Sequence, residues 1–303
     1  MRSLPYLCLL GFVYSCLPNP LPSTEEPPYS DAGLVMPRDE VALTVYAFQG
    51  TAGHIVRPGA FPFQVLITMI HEEEYNICGG AILSPRHVLT AAHCFPIPLA
   101  QKVAKVYAGI VDRERKEGPE VQTRRVTKVV IHPKYDDPKS LYDVAIIELD
   151  APLAYTSRVQ PTKIYADDSF VDVTAQNSTI ALGFGWDKLI NNNYEGRRFM
   201  RFLEVPIINH QKCYNEWKKN DNQIINSKMI CAGDVGTGVE RGDSGGALVY
   251  IHKDGKSTEL RQIGVVSFGE DPQAGVLSID VYSRASSYCN FIAKHTDSEY
   301  QCL

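Results

Sequence analysis

Long apolar runs are missing from this 303-residue chain. The best candidate, Leu4 to Val13, is half as long as the roughly 20 residues a membrane-spanning helix needs. No membrane partner is expected. Positive charge is also scarce, with 30 Lys and Arg against 35 Asp and Glu for a net charge of -5, and no basic stretch is interleaved with aromatics. That balance argues against a nucleic-acid surface. His132, which precedes Pro133, and the other scattered histidines lack metal-ligand spacing, and no acidic cluster reads as a calcium loop. Neither a metal nor any other cofactor is implied. No internal repeat is visible.

What is present begins with an address. Met1-Arg2 gives a short basic start, Leu4 to Val13 is mostly apolar, and Val13-Tyr14-Ser15 suits cleavage ahead of Cys16, so residues 1–15 read as a secretory signal. Residues 16–49 differ in texture. Pro18, Pro20, Pro22, Pro27 and Pro28 surround Glu25-Glu26, as in a pro-segment or linker. From 50 to 303 the signals are short and β-rich: Phe63 to Ile67, Val129 to Ile131, Val144 to Ile147, Ala247 to Tyr250 and Ile263 to Val266. One helical signal, Tyr288 to His295, comes at the end. This length holds one large all-β unit or two modest domains, with ample apolar content for a core.

The chemistry concentrates in Gly242-Asp243-Ser244-Gly245-Gly246, where a serine hydroxyl stands beside consecutive backbone N–H groups. Upstream lie Leu89-Thr90-Ala91-Ala92-His93-Cys94 and Asp143-Val144-Ala145-Ile146. An unassisted serine is a poor nucleophile near neutral pH, so a neutral imidazole must take its proton and later return it to a leaving group. His93 suits that role. Asp143 would accept the other ring N–H, fixing the tautomer and stabilising the imidazolium, while Ser244 attacks. Negative charge on the scissile carbonyl oxygen needs preorganised donors, for which the N–H groups of Gly242 and Ser244 are the natural pair.

These motifs, in the order His, Asp, Ser, resemble the trypsin and chymotrypsin family of secreted serine endopeptidases from about Gly50 to Ile292. The resemblance implies an all-β fold of two packed antiparallel β-barrels with a C-terminal helix, the site lying in the cleft between them. It pairs Cys78 with Cys94 and Cys213 with Cys231. Two bridges common in the family are absent: Glu240, and the region around Gln273, lack one cysteine pair, and Tyr250 and Thr179 stand in place of another. Cys289 and Cys302 remain, either joined to each other or, if one continuous helix runs between them, held too far apart to join. Cys16 has no assigned partner.

In the family, cleavage after a basic residue frees an aliphatic N-terminus whose amine reaches the aspartate before the nucleophile. Asp243 is that aspartate here. Counting back from Phe61-Pro62-Phe63-Gln64 puts the new terminus at Gly50, which no basic residue precedes, and Ile55-Val56 sits too close to the strand to serve. A catalytically silent binding or regulatory homologue is therefore the alternative to an active protease. For substrate, Ser267-Phe268-Gly269 resembles the strand along which a peptide lies extended. Gly238 matches the base of the primary pocket and by itself implies no charge preference. Asp280 stands either on the opposite wall, where a carboxylate suits Arg or Lys, or in a solvated loop, so that a basic or a broad P1 preference is left open. Expected partners are a protein or peptide substrate, an activating protease and protein protease inhibitors. Asn177-Ser178-Thr179 is a glycosylation sequon. The run Asp112 to Glu117 reads as a solvated loop, and Asn191 to Arg198 as an exposed loop open to nicking.

Overall fold

The computed structural model describes residues 53–71, 74–96, 103–171, 179–190, 193–196, 198–219, 223–254, 257–270 and 275–303. The expected signal and pro-segment, Cys16, Gly50, Asn177 and Gln273 lie outside the described residues.

Six antiparallel strands close into a barrel: β2 (Gln64–His71), β3 (Glu74–Ser84), β4 (His87–Thr90), β7 (Ala145–Leu149), β6 (Gln122–Ile131) and β5 (Lys105–Ala108), in that order around it. The second half is a curled eight-stranded sheet rather than a closed barrel. Its order is β1 (His54–Ile55), β11 (Arg201–Glu204), β8 (Thr179–Gly183), β14 (Ala247–Asp254), β15 (Ser257–Phe268), β16 (Asp280–Arg284), β13 (Met229–Ala232) and β12 (Ile207–Ile208). A separate hairpin pairs β9 (Trp186–Ile190) with β10 (Asn193–Gly196).

Strand β2 is apolar at five of its eight positions, on both faces, because most of its length lies between two cores; Ile70 near its end is exposed. Its period of two sorts side chains between two cores: Val65, Ile67 and Met69 fill the barrel, while Leu66 joins Phe61, Phe63, Ile180, Leu182 and Phe202 between the halves. Strand β14 repeats the device, with Ala247, Val249 and Ile251 facing the shared core and Leu248 facing the core of the second half.

Two α-helices are seen among the described residues. The expected one is α2 (Cys289–His295), preceded by a short 3-10 turn over Ala285–Tyr288. The other, α1 (His210–Trp217), has little sequence signature: within His-Gln-Lys-Cys-Tyr-Asn-Glu-Trp only Cys213 and Trp217, four apart, are buried. Its start is local chemistry, since the Asn209 side chain accepts from the N–H groups of Gln211 at 2.9 Å and Lys212 at 3.3 Å.

Three disulfides are formed: Cys78–Cys94, Cys213–Cys231 and Cys289–Cys302. The last is possible because α2 stops at His295 and the chain doubles back through Asp297 and Ser298, both with left-handed backbone (φ 49° and 62°). Cys302 thus returns to a Cα–Cα distance of 5.8 Å from Cys289. Where the family's other bridge is replaced, Tyr250 and Thr179 face each other across β14 and β8.

Two loop readings need correction. Asp112 is buried, and the Arg198 guanidinium donates to both of its carboxylate oxygens at 2.9 to 3.2 Å. Sequence composition read this run as solvated because most of its residues are, and a contact over 86 residues of chain leaves no local trace. Arg198 is accordingly part of a structural ion pair rather than of an open loop, and Phe199 and Met200 beyond it are buried.

Candidate active site

The turn that carries His93 is the single 3-10 turn Ala92–Cys94 at the end of β4, and Cys94 within it is tied to Cys78 on β3. Asp143 enters from the loop before β7 and is 1% exposed. Its two oxygens divide the work of fixing the histidine. Oδ1 accepts the His93 backbone N–H at 2.9 Å, and Oδ2 lies 2.7 Å from ring Nδ1. Ring and backbone are therefore held by one carboxylate. Burial alone would depress the His93 pKa, but the Asp143 charge, its hydrogen bond and the more distant Asp137 outweigh that and raise it.

Asp143 is itself braced by the second half. The Ser267 hydroxyl donates to Oδ2 at 2.6 Å, and the Ser283 hydroxyl donates to the Asp143 carbonyl at 2.9 Å. The sequence placed Ser267 on the peptide-binding strand and did not foresee this bond, nor any role for Ser283. The local pattern around Ser267 points to peptide binding and not to Asp143, and Ser283 stands in no local motif.

Ser244 meets this assembly through its backbone. Its carbonyl accepts from the Gly79 N–H at 2.7 Å, directly beside the Cys78–Cys94 bridge. Gly245 makes the approach possible: a Cβ there would stand 2.2 Å from Thr90 Oγ1 and 2.5 Å from the Gly79 carbonyl oxygen. Gly242 has left-handed backbone at φ 92°. Neither the Gly242 nor the Ser244 N–H donates to another group among the described residues. Both are open to an outside acceptor.

Asp243 turns the other way, into the second half. Its Oδ1 accepts from the Gly185 N–H at 2.7 Å and its Oδ2 from the Glu240 N–H at 2.9 Å. Gly183 must lack a side chain, because a Cβ would fall 1.8 Å from Oδ1. The pair Gly183 and Gly185 is a functional signal that sequence reasoning missed; it shows as Gly-Phe-Gly-Trp after an apolar strand. A small, partly open pocket beside Asp243 is lined by Gly53, Leu182, Arg201, Gly238 and Val239 among others. Gly53 is the first described residue and lines this pocket, while Gly50 is outside the described residues.

Gly238 and Gly269 both lie against Asp280. The Asp280 carboxylate lies 3.2 and 3.3 Å from where a Gly238 Cβ would be, and 2.3 Å from where a Gly269 Cβ would be. Its Oδ2 accepts the Val239 N–H at 2.9 Å. Its Oδ1 and the Tyr282 hydroxyl are both buried without a hydrogen-bond partner among the described residues. Burial first, then the charges of Asp243 and Glu240, push the Asp280 pKa up to about 8 against the pull of the Val239 N–H and Ser278. Phe268 lies beside this pocket, edge-on to Trp217 at 5.0 Å between centroids.

A closed barrel against a curled sheet, with a paired His and Asp at their junction, is the chymotrypsin-like serine protease arrangement. The Trypsin family model matches residues 51–292, and the chain belongs to that family. It is 31% identical to Serine protease 28 of Mus musculus over 253 residues, which cover 80% of this chain and 87% of that protein. With Coagulation factor IX of Cavia porcellus the identity is 32% over 252 residues, 80% of each chain. U21-ctenitoxin-Pn1a of Phoneutria nigriventer is 31% identical over 228 residues, 72% of this chain and 89% of that protein. At the level of the family, its general function is that of a serine protease, whose substrates are proteins.

Proposed function

We propose that this chain is a secreted, catalytically active serine endopeptidase that works through His93, Asp143 and Ser244. The observation that carries the reading is the two-point grip of Asp143 on His93, at 2.9 Å to the backbone and 2.7 Å to the ring, next to a serine whose loop N–H groups are unused. Ser244 Oγ attacks the scissile carbonyl as His93 takes its proton, and the N–H groups of Gly242 and Ser244 hold the oxyanion. His93 then protonates the departing amine. Water, deprotonated by the same ring, cleaves the acyl-enzyme and restores Ser244. Reaction of the mature chain with a fluorophosphonate probe tests this: labelling at Ser244, lost in Ser244→Ala, is the expected result. A mature chain that stays unlabelled sinks the reading.

The pocket of Gly238, Gly269 and Asp280 sets substrate choice. A P1 Lys or Arg cation meets the unpartnered Asp280 Oδ1 and the Tyr282 hydroxyl there, two polar atoms whose burial is costly until something bonds to them. With a pKa near 8, Asp280 is largely protonated at neutral pH, so uncharged P1 side chains are accepted as well. Breadth follows from one titrating acid.

A silent, zymogen-like homologue is the second reading, favoured by the absence of a basic residue before Gly50. N-terminal sequencing of the labelled, secreted chain separates the two, because a terminus at Gly50 puts an amine in reach of Asp243. Secretion itself rests on the signal-like residues 1–15 and is tested by the same sample. The sequon at Asn177 is proposed as glycosylated, checked by the mass loss on enzymatic deglycosylation.

A further inference from the structure

The residue before Asp143 is in an unusual state. Tyr142 has φ of 53°, the left-handed region that bulky side chains avoid. Asp143 follows it directly, and the Val144 N–H donates back to the Tyr142 carbonyl at 2.8 Å, closing a tight turn with Asp143 at its apex. The direction of the carboxylate therefore depends on a backbone conformation that Tyr142 would not hold alone.

His132 grips that turn on both sides. Its ring lies flat on the Tyr142 ring, 5.0 Å between centroids and 9° between planes. Its backbone N–H donates to the Val144 carbonyl at 3.0 Å. The ring is fixed in turn by Phe291 at 4.8 Å and edge-on by Tyr288 at 5.6 Å, and its Nδ1 accepts the Lys134 N–H at 3.2 Å. Lys134 Nζ also approaches the Tyr142 ring, 5.7 Å from its centroid. None of these residues touches the reacting atoms.

We propose that His132 is a positioning residue for the triad, stacking on Tyr142 to hold the left-handed backbone that aims the Asp143 carboxylate at His93. This rests on the triad reading above. The stack offsets strain at Tyr142, where an Asn or Gly would hold the same backbone unaided. A neutral ring is required, since a proton on Nδ1 would displace the Lys134 N–H. Burial first, then Lys134, Lys228 and His295, keep the His132 pKa below its ordinary value. His93 is shifted upward instead, so the two histidines titrate in separate ranges.

The test is the rate of fluorophosphonate labelling as a function of pH, with thermal unfolding recorded beside it. His132→Asn keeps an acceptor for Lys134 and removes the ring. It is expected to label about tenfold more slowly, in line with the cost of an unsupported left-handed residue. Its acid limb should move to lower pH, because a misdirected Asp143 no longer holds up the His93 pKa. His132→Phe restores the stacking surface and should recover most of the rate. Tyr142→Ala keeps the strain without the stack and should slow like His132→Asn; Tyr142→Gly loses both and should stay near the parent. That second pair decides the matter if His132→Asn does not fold. A His132→Asn chain with the parent's rate and acid limb overturns the proposal, as does a Tyr142→Gly chain as slow as Tyr142→Ala. A parent that never labels overturns the triad reading and this one together.

Discussion

Asp280 ties substrate selectivity to pH in a way that can be measured without knowing the physiological substrate. With its pKa pushed up to about 8, placing a P1 cation against the ionised carboxylate at pH 7 costs about one pH unit of free energy, roughly 1.4 kcal/mol, and at pH 6 twice that. An uncharged side chain of the same shape binds the protonated acid without this cost. The ratio of kcat/KM for a P1 arginine peptide to that for its P1 citrulline counterpart should therefore rise about tenfold per pH unit from 6 to about 8. Taking the ratio cancels the titration of His93, which both substrates share. Asp280→Asn keeps an acceptor for the Val239 N–H and should flatten the curve at the citrulline-favouring end. A parent ratio that is constant across this range, or an Asp280→Asn ratio that still climbs, would refute both the placement of the cation and the raised pKa. The same substitution should stabilise the fold at neutral pH. A carboxyl whose folded pKa lies above its unfolded value destabilises the folded state progressively as pH rises between the two, and the neutral amide escapes that.

Other substitutions probe the supports of the site. Gly183→Ala would push a Cβ to within 1.8 Å of Asp243 Oδ1, and labelling at Ser244 should fall more than about a hundredfold as the nucleophile loop is displaced, read by probe kinetics. Ser267→Ala removes the 2.6 Å bond to Asp143 and should lower kcat about tenfold with KM little changed in steady-state assays. Arg198→Ala leaves Asp112 buried without its bidentate partner and should cost about 1 to 3 kcal/mol in urea unfolding. Asp112 opposes the rise due to burial mainly through the Arg198 hydrogen bond, so its pKa sits below the ordinary carboxylate value. The stabilisation is thus present at neutral pH and lost as pH falls through that depressed value, an acid sensitivity that Arg198→Ala should weaken.

The strands were legible where apolar runs were continuous, as in Phe63 to Ile67 and Ile263 to Val266, because residues buried on both faces leave little room for polar ones. The three residues His93, Asp143 and Ser244 were legible for another reason: each sits in a short segment whose small or apolar neighbours are dictated by local close packing, such as Gly245 against Thr90. What escaped was set by contacts distant in sequence. Ser267 and Ser283 reach Asp143 across 124 and 140 residues, and nothing in their own neighbourhoods announces that bond. Helix α1 was hidden because its buried face is two residues wide, and the Asp112 pair because its cation comes from a different loop. The Cys289–Cys302 bridge turned on two left-handed residues, Asp297 and Ser298, that carry no glycine to announce them.

The last turn of the chain has a bearing on when the molecule can first exist as a finished object. Tyr288, Phe291, Ile292 and Tyr300 belong to the same buried cluster as Val65, Val106 and Ile147, so the core of the N-terminal barrel is closed by the C-terminal helix and tail. All six strands of that barrel have been synthesised by Leu149, yet its interior is complete only when the final few residues arrive. The segment from Tyr288 to Tyr300 therefore seals the half bearing His93 and Asp143. A chain cut short of these residues would carry His93 and Asp143 but lack the wall behind them.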